Sequence, residues 1–204
     1  MNVIRRDYAI KDKPKVELTV AACEPSLWYD LGFHRHHYMT EDLNPSSKCY
    51  LVRWNGVAVA FVALLPQLSS GCSGSMRFSR IVVMPDYQGL GLVGRLMDFF
   101  GGVVKGERPS STLYMKTIHP RVGAYMGRSS NWEASAYNQE FRDELREGKE
   151  NKHARYSGGK ARASFCFKYV GPPLEGYGFL LNNRGLAREI KDGQGFFDFF
   201  DVRK

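Results

Sequence analysis

The residues best placed to do chemistry lie together in Pro85-Asp86-Tyr87-Gln88-Gly89-Leu90-Gly91-Leu92-Val93-Gly94-Arg95. The stretch follows an apolar, β-branched run and precedes residues at helical spacing, so its glycines fall where a strand meets a helix. A helix start leaves its first amides without intrahelical partners and carries the positive end of the dipole. Such a turn can hold phosphate with no charged side chain, and diphosphate is its natural guest. A Walker loop is excluded, because no Lys-Ser or Lys-Thr pair follows these glycines and Lys116-Thr117 follows no such loop. Gly89-x-Gly91-x-x-Gly94 does match the letters of the dinucleotide fingerprint. It comes after an antiparallel hairpin, however, and no acidic residue ends a following strand.

The longer run Arg80-Ile81-Val82-Val83-Met84-Pro85-Asp86-Tyr87-Gln88-Gly89-Leu90-Gly91 resembles the central motif of the GNAT acyltransferases, whose pattern is Q/R-x-x-G-x-G/A. Gln88 and Gly91 match it. Val93 stands where the family has Gly or Ala, with Gly94 one place later, so the end of the loop is expected to be slightly rearranged. The resemblance spans Lys48 to Trp132 and implies an acyl-CoA-dependent N-acyltransferase with acetyl-CoA as donor. It further implies that Ile81, Val82 and Val83 pair with the pantetheine arm, and that the amides from Gln88 to Arg95 hold the diphosphate. The thioester would then sit in a splay between the strand at Arg77 to Met84 and the next one. A positioned neutral amine can attack it directly, with backbone donors stabilising the oxyanion. The same strand, turn and helix can also serve as a non-catalytic core or binding unit.

Many members of that family take the ammonium proton with a carboxylate on the central strand. This chain has no Asp or Glu between Asp42 and Asp86, which leaves His119, at the end of the next strand, and Ser79, expected to share a strand face with Arg77 and Ile81. An imidazole exchanges protons near neutral pH, although His119-Pro120 also makes a good strand-to-helix turn. Tyr125 lies near where the family supplies a tyrosine acid to the leaving thiolate, but the local pattern departs from the family's Y-x-x-x-G-F.

His34, His36 and His37 are clustered, and His34 and His37 are spaced to share a helical face. No matching Cys, Asp or Glu set completes a metal site, so a surface or substrate-groove role is expected and no metal. The segment His36-His37-Tyr38 has a distant similarity to the Mom-type phage proteins, GNAT relatives that modify adenine in DNA. A DNA nucleobase as acceptor is the alternative that this similarity implies. The acid-free stretch Arg108 to Trp132, which carries Arg121 and Arg128, and the basic stretch Lys152 to Lys168 can neutralise phosphates if they share a face. As solvated basic loops they would need no partner.

The elements that must position these groups follow from periodicity. Lys15 to Ala22 alternates as a half-buried strand, Pro25-Ser26 opens a helix through Leu27, Trp28, Leu31 and Phe33, and His34 to Ser47 is polar and loop-like. Lys48 to Trp54 and Val57 to Leu65 form a hairpin around Asn55-Gly56. Strand Arg77 to Met84, helix Gly91 to Lys105, strand Thr112 to Ile118 and helix Pro120 to Arg128 come next, and strands are expected at Trp132 to Tyr137 and Ala161 to Val170. The order predicts an α/β three-layer domain over 1–175, with a mixed, mostly antiparallel sheet, helices on both faces and a charged insertion at 139–160. An extension at 176–204 follows, with no predicted element.

The 204 residues suit one domain, and 43% hydrophobic with 25% charged residues is an ordinary globular balance. The apolar runs are too short to span a bilayer and the start is no signal peptide, so a soluble, cytoplasmic protein is expected. The four cysteines form no C-x-x-C pair and are expected as reduced, mostly buried thiols. The net charge of +8 favours an anionic partner, for which nucleic acid, a phosphorylated cofactor and an acidic protein all qualify.

Overall fold

The computed structural model describes residues 17–37, 41–68, 74–136, 138 and 164–182. Within them a seven-stranded sheet runs in the order β1-β2-β3-β4-β5-β7-β6. The strands are β1 (Leu18–Ala22), β2 (Lys48–Trp54), β3 (Val57–Pro66), β4 (Met76–Val83), β5 (Leu113–Thr117), β6 (Trp132–Ala134) and β7 (Phe165–Tyr169). The helices are α1 (Leu27–Asp30), α2 (Leu92–Glu107) and α3 (Pro120–Arg128). Every pairing is antiparallel except β4 with β5. The mixed, mostly antiparallel α/β sheet expected from the sequence is therefore present.

The hairpin turns as Asn55-Gly56 predicts, with φ of 49° and 81° at the two positions. β2 and β3 carry apolar residues on both faces because helices lie on both sides. One face of the sheet buries Tyr50, Val52, Val62, Phe78 and Val83 with the α2 stripe of Leu92, Leu96, Met97, Phe100, Val103 and Val104. The other buries Leu51, Phe61, Ala63 and Val82 beneath Trp28 of α1 and Phe33. α3 packs on β6, β7 and α2, so it shares the α2 side.

Several expectations change. The first helix ends at Asp30, Gly32 turns at φ 75°, and Phe33–His36 forms a separate 3-10 turn inside the expected loop. Phe33 thereby drops into the core without prolonging α1. The strand expected to reach Tyr137 stops at Ala134, after which Ser135 and Asn138 bond back to β7. The expected strand from Ala161 is seen as Phe165–Tyr169, and 161–163 and the insertion at 139–160 lie outside the described residues.

The boundary drawn at residue 175 falls inside packed chain. Leu180 and Leu181 are buried in the main core, and Gly178–Leu180 is a 3-10 turn. The Tyr50 hydroxyl donates to the Leu180 carbonyl at 3.0 Å, and the Lys48 ammonium donates to that of Leu181. Of the cysteines, Cys49 is buried while Cys23 and Cys166 are half-buried, and Cys72 lies outside the described residues. No described helix is long and apolar enough to cross a membrane.

Candidate active site

The site is built where β4 leaves β5. Their ladder holds only Met76 with Leu113 and Arg77 with Tyr114, although β4 continues to Val83 and β5 to Thr117. Beyond that junction Ile81, Val82 and Val83 pair, among the described residues, with β3 alone, which leaves their other edge open to a guest. This is the expected splay.

A bulge sits at its start. Ala63 faces Arg80 and Leu64 faces Phe78, so Ser79 has no partner residue on β3, and the β5 ladder has already ended. The bulge shifts the side-chain alternation by one. Met76 and Phe78 before it, and Ile81 and Val83 after it, all pack with the α2-side core. The expected common face of Arg77, Ser79 and Ile81 is therefore broken, because strict alternation holds only in an unbulged strand.

Past Val83, a 3-10 turn at Pro85–Tyr87 leads into the glycines. Gly89 and Gly91 have φ of 85° and 76°, a left-handed backbone that glycine adopts without steric cost. The Gln88 side chain donates from Nε2 to the Val83 carbonyl at 3.0 Å and folds the loop back over the strand end. Gly91 is the N-cap of α2 and no side chain caps the helix, so its first amides remain available to an anion. α2 is regular from Leu92, and Val93 lies in its first turn, half-buried against the core.

Gly94 has a different task. A Cβ there would stand 2.7 Å from the Tyr125 ring, so the missing side chain lets α3 close onto the first turn of α2. The Tyr125 hydroxyl donates to Asp98 Oδ2 at 2.7 Å. Asn131 Nδ2 donates to the same oxygen at 3.1 Å, and Trp132 Nε1 to Oδ1 at 2.7 Å. Burial, and then the bond to Asp98, raise the Tyr125 pKa well above the usual phenol value. In this arrangement the phenol proton is directed at Asp98 and would have to leave it to reach a thiolate. Nothing in the sequence reading pointed to Asp98 or Asn131. The available signal was a carboxylate between Met97 and Phe99 in an otherwise apolar helical run.

His119 is the exposed N-cap residue of α3, at the end of β5, and its backbone N–H donates to Thr117 Oγ1 at 3.0 Å. Arg121 and Arg128 are exposed on α3. They lie on the α2 side of the sheet, whereas Lys116 and Lys168 alternate to the other side, so the first basic stretch is divided between the two faces, and residues 152–163 of the second lie outside the described residues. His36 is exposed at the end of the 3-10 turn. His37 packs its ring edge-on to Trp28, with centroids 5.9 Å apart, and Tyr38 lies outside the described residues.

Residues 13–103 match the family model described as Acetyltransferase (GNAT) family. Those residues, 91 of the 204, match a GNAT acetyltransferase domain. The match ends inside α2, and solved structures extend the likeness to the rest of the fold. The ribosomal-protein-S18-alanine N-acetyltransferase from Escherichia coli is 14% identical, covering 78% of this chain and 97% of that one with a TM-score of 0.51. The spermidine/spermine N-acetyltransferase from Vibrio cholerae is 14% identical, over 83% and 98% of the chains, with a TM-score of 0.52. An acetyltransferase from Bacillus subtilis in complex with CoA is 14% identical, over 78% and 99%, with a TM-score of 0.50. No curated protein matches the sequence. At such identity the solved structures speak for the GNAT fold, and the family model for acyl-CoA-dependent N-acyl transfer.

Proposed function

We propose that the protein transfers the acetyl group of acetyl-CoA to an amine, with the donor lying in the gap between β4 and β5. The observation that carries this reading is the short β4–β5 ladder running into an uncapped α2 start, which offers a free strand edge and free amides in series. Ile81, Val82 and Val83 bond the pantetheine arm through their open edge. The amides of the loop from Gly89 through Leu90, Gly91, Leu92 and Val93 to Gly94 bond the diphosphate; those of Gln88 and Arg95, also expected to do so, donate instead to the carbonyls of Pro85 and Gly91. The CoA-bound Bacillus subtilis structure of the same fold agrees with this donor.

The neutral amine nitrogen attacks the thioester carbon, the new C–N bond forms, and the C–S bond breaks to give the thiolate. Ser79, freed from the ladder by the bulge, lies at the closed end of the gap, where a backbone donor meets the developing oxyanion. His119 accepts the amine's proton from its exposed place at the end of β5. Tyr125 ties the wall of the gap to α2, with its proton held by Asp98. Arg121 and Arg128, outside on α3, and His36 and His37, beside Trp28, border the acceptor's approach.

Thermal unfolding with acetyl-CoA and with CoA tests the donor assignment. At about 100 times the Kd a ligand that binds only the folded chain adds about 2.7 kcal/mol, a shift of several degrees. Absence of any shift at saturating acetyl-CoA would defeat the reading. Release of free thiol in the presence of an amine panel then separates a working transferase from a binding module.

A further inference from the structure

The register brings cations together that are far apart in sequence. Arg77 lies opposite Tyr114, Tyr114 opposite Lys168, and Lys168 opposite Glu133, a row across β4, β5, β7 and β6. Lys116, two residues beyond Tyr114, lies opposite Cys166. On β5 and β7 the residues between these, Leu113, Met115, Phe167 and Tyr169, are buried against α2 and α3. Tyr114, Lys116 and Lys168 therefore all point to the opposite face. Arg77 joins them, since its neighbours Met76 and Phe78 are buried with α2.

Arg77 and Lys116 are exposed, Tyr114 is half-buried, and the Lys168 side chain is 39% exposed beside Glu133, its partner at 3.1 Å. The helices packed on β5 and β7 are α2 and α3, both on the far side. The 3-10 turn Phe33–His36 contacts β4 and adds exposed Arg35 and His36 at the border of the patch.

We propose that this face of β4, β5 and β7 binds a nucleic-acid strand. Strands lie about 4.8 Å apart and alternate residues about 7 Å apart, so the cations form a flat grid roughly 10 Å across with an aromatic ring at its centre. A strand of nucleic acid offers regularly spaced phosphates for the grid and a base to stack on Tyr114. An acidic peptide offers charge but no flat partner for the ring. The net charge of +8 draws the same polyanion from a distance. Arg77 and Tyr114 are also the last ladder pair before the splay, so the bound strand lies beside the closed end of the gap. That last step rests on the donor assignment made above, whereas the binding itself does not.

The test is fluorescence anisotropy of the full chain with a labelled oligothymidylate, across a salt series. Three phosphate contacts to a single strand give log K a slope of about −2 against log salt. Arg77→Ala/Lys116→Ala/Lys168→Ala is expected to weaken binding roughly tenfold or more and to remove most of that slope. Tyr114→Leu, which keeps the charge, is expected to weaken binding without altering the slope. The thermal shift with acetyl-CoA, measured on the same variants, reports their folding and the donor site separately. No binding by the parent chain would overturn the proposal. So would equal losses from Arg121→Ala/Arg128→Ala on the other side of the sheet, or equally tight, equally variant-sensitive binding of polyglutamate.

Discussion

Asp98 is a carboxylate in the second turn of a core helix, and three donors, from α3, β6 and the turn between them, converge on it. Hydrogen bonds to a charged group contribute about 1.5–3 kcal/mol each, and a donor left unpaired on burial costs comparably. Asp98→Ala is therefore expected to lower stability by about 3 kcal/mol or more, read as the midpoint of urea unfolding. Tyr125→Phe removes one of the bonds, keeps the ring on Gly94, and is expected to lower kcat less than about tenfold. A loss above about a hundredfold with KM unchanged would return the leaving-group acid role to Tyr125. At this scale the sequence was only partly legible. Gly89 and Gly91 declared themselves, because a glycine turn between a strand and a helix is a local signal. Asp98 did not, since its partners stand 27 to 34 residues away and only the docking of α3 brings them near.

Elements were read more reliably than their ends. α3 runs over Pro120–Arg128 as expected, and the β2–β3 hairpin has its expected turn, both being set by local signals. The bulge at Ser79 was not readable, because an extra residue in a ladder depends on what β3 places opposite. Its consequence is chemical, since it turns the strand's faces over at the place where the gap opens. The contact between α2 and α3 is the element-scale feature most open to attack. Gly94→Ala places a methyl 2.7 Å from the Tyr125 ring, and relief requires that ring, bonded to Asp98, or α3 with it, to move. Such overpacking is expected to cost about 1–3 kcal/mol and to weaken acetyl-CoA binding, because the same turn supplies diphosphate amides. Differential scanning calorimetry with and without acetyl-CoA measures both; an unchanged Tm and ligand shift would contradict the close packing.

Across the whole molecule, buried protons set the pH response. Burial raises the Cys49 thiol from 9.0 to about 11 and the Tyr169 phenol to about 12, and pushes Cys23, Tyr50 and Tyr125 up as well. The folded chain holds these protons more tightly than the unfolded chain does. The stability they contribute is whole below the unfolded values and is lost as pH rises through the folded ones. Urea midpoints are expected to hold up to pH 9 and to fall from there towards pH 11, the window of Cys49. Cys49 is also expected to resist alkylation at about pH 8 until denaturant is added. A native chain that labels as fast as the unfolded one would contradict this burial.

The sheet is in effect two leaves, β1 to β4 and β5 to β6, joined by two ladder pairs and by α2, which touches both. The first leaf is drawn from consecutive strands, with α1 and a 3-10 turn between β1 and β2 and a tight hairpin between β2 and β3, whereas the second must wait for the chain beyond Phe165. Pairings that span long loops form late. The loop proposed to hold the diphosphate is therefore complete, with one wall of the gap standing, before the wall that would close on the thioester exists. Refolding followed at both places is expected to show protection of β2 and β3 amides ahead of β7.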